Sequence, residues 1–151
     1  MKNRGTDGRR FMRKILVVSH SKLAQGFVAA MDLICGGGNK VDFINAYVDN
    51  TPLSEQLKDY FSKLNHEDEK IVLTDLAFGS PNNECTPYIK THGIRLISGI
   101  NLALLLAIVM EDENAAFSDD NIERLIQDAK DGICYINKKL AETAYTEDFD
   151  F

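Results

Sequence analysis

Residues 15 to 26 leave the chain few choices. Ile15-Leu16-Val17-Val18 is a continuous apolar run, the mark of a strand buried on both faces of a parallel sheet. It stops at Ser19-His20-Ser21, and a helical spacing begins at once, with Leu23, Phe27, Ala30, Met31 and Ile34 on one face. A strand that turns into a helix within three residues is the opening half of a βαβ unit. It also places His20 at the carboxyl end of the first strand, where open α/β sheets carry their ligand sites.

The rest of the chain repeats the alternation. Helix 1 is expected over about Lys22 to Ile34, with Gly36-Gly37-Gly38 ending it as a C-cap, because the triplet follows a helix instead of opening one. Val41 to Tyr47 reads as strand 2. Ser54 reads as the N-cap of a helix carrying Leu53, Leu57, Tyr60, Phe61 and Leu64. Ile71-Val72-Leu73 is strand 3, ending at Thr74-Asp75, and the helix after it runs to about Thr91 with a disturbance at Pro87. Ile94 to Ser98 is strand 4, and Leu102 to Glu111 is the next helix. Ser118 should cap one long helix with Ile122, Leu125, Ile126, Ala129, Ile133, Ile136 and Leu140 on its inner face.

Alternating strands and helices joined by right-handed crossovers give an α/β fold: an open, mainly parallel four-stranded sheet with helices on both faces. Two strand orders satisfy the pattern, 2-1-3-4 and 3-2-1-4, and we prefer 2-1-3-4. Strands 1 and 3 are then neighbours, so His20 and Asp75 end side by side at the switch point. Residues 1 to 12, basic at first and without an apolar run, read as a disordered N-terminal extension. Residues 13 to 140 read as the domain, and residues 141 to 151 as an acidic, aromatic tail that could form an edge strand.

Composition narrows the function. A net charge of −6 disfavours nucleic acid as the main partner, because phosphate backbones need a basic stripe. The longest apolar stretch, Ile100 to Met110, is too short to span a bilayer. Cys35, Cys85 and Cys134 form no CxxC pair, read as small buried hydrophobes, and fit a reducing, cytoplasmic setting. His66 and His92 read as surface or structural residues. No dinucleotide or nucleoside triphosphate fingerprint occurs, and no G-x-S-x-G elbow accompanies Ser19 or Ser21.

An imidazole whose second nitrogen is held by a carboxylate is oriented and made more basic. Such a pair suits a histidine that takes up a phosphoryl group, since the carboxylate stabilises the charge developing on the ring. Backbone N–H groups of Ser21 and Lys22 at the start of helix 1, with the Ser80 hydroxyl, are the candidate phosphate-binding groups. The alternative is that His20 and Asp75 merely cap turns.

The residues also resemble a known family. Val18-Ser19-His20-Ser21-Lys22-Leu23-Ala24-Gln25-Gly26 is similar to the active-site segment of IIA components of the mannose/fructose/sorbose-type bacterial sugar phosphotransferase system (PTS). Thr74 to Asn83 and Ser98-Gly99-Ile100-Asn101-Leu102 resemble its second and third motifs, and the similarity runs from about Arg13 to Leu140. The resemblance implies that His20 accepts a phosphoryl group from the phosphocarrier protein HPr and passes it to a IIB component, with membrane IIC and IID components acting downstream. It implies that Asp75 hydrogen-bonds the active histidine, that Ser80 lies near the phosphate, that no metal or organic cofactor is needed, and that the protein is a cytoplasmic homodimer. In that family a C-terminal edge strand can be exchanged between the two copies. Three departures stand out: Phe78 where the family has glycine, Asn82 where it has an apolar residue, and Ala103 where it has proline. The rival readings are the phosphotransfer subunit of a dihydroxyacetone kinase, which shares the Ser-His-Ser opening, a regulatory binding protein, and a flavodoxin-like cofactor domain.

Overall fold

A computed structural model of the chain describes residues 12–147. Four strands, β1 (Arg13–His20), β2 (Val41–Ala46), β3 (Glu69–Thr74) and β4 (Arg95–Ser98), form one sheet in the order β2-β1-β3-β4. All three pairings are parallel, with Ile15 opposite Val41 and Ile71, and Thr74 opposite Ser98. The preferred strand order is therefore the one formed.

Burial follows position in the sheet. β1 and β3 are central, so Ile15 to Ser19 and Lys70 to Thr74 are buried without alternation. β2 is an edge strand, and there Val41 and Ile44 are buried while Asp42 and Phe43 are exposed. The helices are α1 (Leu23–Cys35), α2 (Leu53–Ser62), α3 (Ser80–Cys85), α4 (Pro87–His92), α5 (Leu102–Met110), α6 (Asp119–Asp131) and α7 (Ile136–Glu147). Right-handed crossovers send α1 to one face of the sheet and α2 and α3 to the other, because the chain first steps leftward from β1 to β2 and afterwards steps rightward. On the second face Leu16, Val18, Ile44 and Val72 pack with Leu53, Leu57 and Phe61 of α2 and Cys85 of α3.

The described residues divide into two compact units between Ala116 and Phe117. The sheet and helices α1 to α5 belong to the first, and α6 and α7 to the second. The single long helix expected after Ser118 is in fact two. Ser118 does cap α6, its hydroxyl accepting from Asn121 N–H at 3.1 Å. Gly132 costs a helix about 1 kcal/mol relative to alanine. There α6 closes with a tightened turn, Gly132 N–H to Ala129 O at 3.3 Å and Ile133 N–H to Lys130 O at 3.0 Å. Leu125 and Ala129 are buried as expected, whereas Ile133, Ile136 and Leu140 are exposed.

Other expectations also change. The tail from Ala141 is helical to Glu147, so no edge strand forms over those residues, and residues 148–151 lie outside the described part. Of the expected disordered extension only Met12 is described, and it is tied down: its N–H donates to Asp68 and its carbonyl accepts from Glu69 N–H. Helix α2 starts at Leu53 after Pro52, and Ser54 lies inside it. Among the cysteines Cys85 is buried, its thiol pushed up to about 12 chiefly by burial, while Cys35 and Cys134 are exposed. The Gly36 cap forms as expected, with φ +66° and its N–H on Asp32 O.

Candidate functional site

The carboxyl ends of β1, β2 and β3 lie side by side, and three turns leave them. β1 delivers His20 to the rim with its side chain 43% exposed, beside an Asp75 carboxylate that is only 8% exposed. His20 Nδ1 stands 2.7 Å from Asp75 Oδ2, and the His20 backbone N–H donates to the same oxygen at 2.9 Å. Asp75 Oδ1 accepts from Leu76 N–H at 2.9 Å. Burial pushes the Asp75 carboxyl up, but the three hydrogen bonds and the neighbouring imidazole outweigh it and hold the group below its ordinary range. An ionised carboxylate only accepts, so Nδ1 carries a proton, and in the neutral ring Nε2 is the nitrogen with the lone pair.

The turn after His20 is fixed from below. Ser19 is fully buried, and its hydroxyl donates to His20 O and accepts from Ala24 N–H at 2.6 Å. Asn45 accepts from Gln25 N–H at 3.2 Å. Of the two amides expected to receive phosphate, that of Ser21 is already bonded to Ala46 O at 2.9 Å, since the β1 turn continues the pairing with β2. That amide is therefore engaged within the chain. Gly26 N–H returns to Lys22 O, as helix geometry requires. Among the described residues, the amides of Lys22 and Leu23 have no partner in the chain.

The β3 turn closes over the ring from the other side. A side chain at Gly79 would meet Leu76 O at 3.2 Å and His20 Cε1 at 3.4 Å, so the loop runs close to the imidazole and a larger residue there would have to push the Leu76 backbone by a few tenths of an ångström. Phe78 has φ +62° and is 87% exposed, its ring standing in solvent. A left-handed backbone there gives a physical reason for glycine in the resembling motif. Asn82 accepts from the buried Thr74 hydroxyl at 3.1 Å, pinning α3 to β3, and Asn83 Nδ2 donates to Phe78 O. Ser80 is held by a residue that sequence reasoning passed over, Tyr47, whose hydroxyl donates to Ser80 Oγ at 2.7 Å. The structure thus joins His20 to Asp75 and Ser80 to Tyr47. His92 lies away from this rim, against Phe61 and Tyr88.

Comparison with known proteins bears on the family and the fold. Residues 14–125 match the family described as PTS system fructose IIA component. A structure from Klebsiella pneumoniae assigned to a phosphoenolpyruvate-dependent sugar PTS permease is 28% identical, with a TM-score of 0.77 over 86% of this chain and 95% of that one. The PTS component EIIA of Streptococcus agalactiae is 26% identical, with a TM-score of 0.71 over 84% of this chain and 99% of that one. At 20% identity the mannose/sorbose-specific IIA subunit of Enterococcus faecalis shares the fold, with a TM-score of 0.71 over 83% and 95% of the two chains. Among the described residues no helix is long and apolar enough to cross a membrane. With the site geometry and the match over residues 14–125 together, the chain belongs to the fructose/mannose-type IIA family of the sugar phosphotransferase system.

Proposed function

We propose that the protein is a phosphohistidine carrier in which His20 takes a phosphoryl group from phospho-HPr and hands it to a IIB component. The observation that carries this reading is the 2.7 Å contact between His20 Nδ1 and Asp75 Oδ2. With Nδ1 turned to the carboxylate, Nε2 is the nitrogen we assign as nucleophile. The Nε2 lone pair forms the new P–N bond. The donor's P–N bond breaks, and its electron pair stays on the donor's imidazole nitrogen. The His20 ring keeps its Nδ1 proton and becomes positive, and Asp75 stabilises that charge. The incoming oxygens are bound by the Ser80 hydroxyl, the Lys22 and Leu23 amides and the Ser21 hydroxyl. Transfer between two imidazoles needs positioning and electrostatics, and this chain's part calls for no metal or organic cofactor. Leu76 and Phe78, 61% and 87% exposed beside the histidine, offer apolar contacts to the docking carriers. The same reading places the protein in the cytoplasm as a homodimer, upstream of membrane IIC and IID components.

The test uses the full chain with phosphoenolpyruvate, enzyme I and HPr, followed by intact mass. An acid-labile gain of one phosphoryl group, absent in a folded His20→Ala variant, is expected. No gain in the folded wild-type protein, or labelling that survives the substitution, would overturn the assignment.

A further inference from the structure

Three residues other than glycine have positive φ among the described residues: Ser21 at +53°, Tyr47 at +66° and Phe78 at +62°. They follow β1, β2 and β3 in turn, so the left-handed conformations gather in the three turns around His20. Such a conformation costs an L-residue on the order of 1 kcal/mol and persists where the surroundings hold it. For Tyr47 the result is a side chain brought back over the site. Its ring centroid is 5.8 Å from that of His20, tilted by 48°, and its hydroxyl meets Ser80 across 33 residues of sequence. Tyr47 is 54% exposed, so burial does little to explain the arrangement.

We infer that Tyr47 is a positioning residue for phosphoryl transfer, its hydroxyl turning the Ser80 hydroxyl so that the serine proton faces the group on His20 Nε2. The inference rests on the acceptor role of His20 and the phosphate-binding role of Ser80 proposed above. A serine hydroxyl has one proton and two lone pairs, and its rotor is otherwise free among staggered positions. A phenol donating to one lone pair narrows that freedom to the positions facing away from it. The serine proton is then turned away from Tyr47 and available to a phosphoryl oxygen. Donation from the phenol also polarises the serine O–H, making it a stronger donor to an anion. Tyr47 therefore acts through Ser80 without taking or giving a proton, and the phosphorus, the two imidazoles and their electrons move as already described.

The test compares wild type, Tyr47→Phe, Ser80→Ala and the double variant as full chains, following the rate of His20 labelling from phospho-HPr over a range of donor concentrations. Tyr47→Phe keeps the ring and removes only the hydroxyl. It should slow transfer at saturating donor by about tenfold, less than the roughly hundredfold or more that losing a donor in direct contact with the transition state costs. The half-saturating donor concentration and the melting temperature should stay at wild-type values. Ser80→Ala should slow transfer at least as much, and the double variant should be no slower than Ser80→Ala alone. Wild-type speed in Tyr47→Phe would overturn the inference, as would a double variant whose loss is the product of the two single losses. An effect confined to the half-saturating concentration would also overturn it, by making Tyr47 a docking residue. If wild type itself fails to label on His20, the acceptor reading falls and takes this inference with it, whereas normal labelling with an unaffected Tyr47→Phe removes this inference alone.

Discussion

Phe78 is held at φ +62° with 87% of its surface in solvent. Its side chain gains little from burial, and its backbone is in a region that β-carbons avoid. Phe78→Gly should therefore stabilise the protein by roughly 0.5–1 kcal/mol, the relief of about 1–2 kcal/mol of strain less the greater freedom of glycine in the unfolded chain. Urea unfolding of the two proteins checks this, and a variant less stable than wild type would show that the ring has a hidden role. At this scale the His20–Asp75 pair was legible beforehand only through the preferred strand order, since the pattern also allowed 3-2-1-4, in which strands 1 and 3 are not neighbours. Tyr47 was not. A tyrosine one residue past a strand carries no motif, and its partner is set by a backbone conformation that hydrophobic spacing does not encode. The loss of the Ser21 amide to Ala46 was hidden for a related reason, since pairing at the end of a strand depends on register and not on residue type.

Helices betray their middles more readily than their ends. The apolar spacing located α1, α2 and α5 to within a residue or so at most of their ends, and the disturbance expected at Pro87 appears as the break between α3 and α4. Caps were mixed. Ser118 serves as expected, but Ser54 does not, and the cap of α5 is Asn101, whose side chain accepts from Leu104 N–H at 2.8 Å. Asn101 sits in a stretch that reads simply as a turn, and only the extended backbone at φ −129° and ψ 168° makes it a cap. Asn101→Ala should cost about 1 kcal/mol of stability by urea denaturation, the usual loss for a capping side chain. An unchanged midpoint would mean that water replaces the asparagine at no cost. The split between α6 and α7 was missed because the apolar period continues through Gly132 into Ile133, Ile136 and Leu140. One glycine outweighed a face that the fold leaves in solvent.

For the molecule as a whole, the site is linked to stability through Asp75. Its carboxyl binds a proton less readily in the folded state than in the unfolded one. Above the ordinary carboxylate range the pair contributes stability in full. As pH falls, the unfolded chain takes up its proton first, so that contribution shrinks and is gone once the folded value has been passed. Asp75→Asn should thus be the less stable protein at pH 7, by about 1–3 kcal/mol for the lost charge-assisted bonds. Urea titrations at pH 7 and near pH 3 would show the gap between the two proteins closing; a gap constant with pH would mean that the carboxylate's charge is not what matters. The fold itself was legible at this scale, since four apolar runs alternating with helices admit few sheets, and the order β2-β1-β3-β4 was already the preferred one. One feature of the site reaches into spectroscopy. The ring and the backbone N–H of His20 share a single oxygen, Asp75 Oδ2. If His20 is loaded as proposed, charge gained by the ring draws on the lone pairs that also serve the amide, so the His20 amide resonance should shift on loading, a change readable in a working mixture of partners without any label on the phosphate.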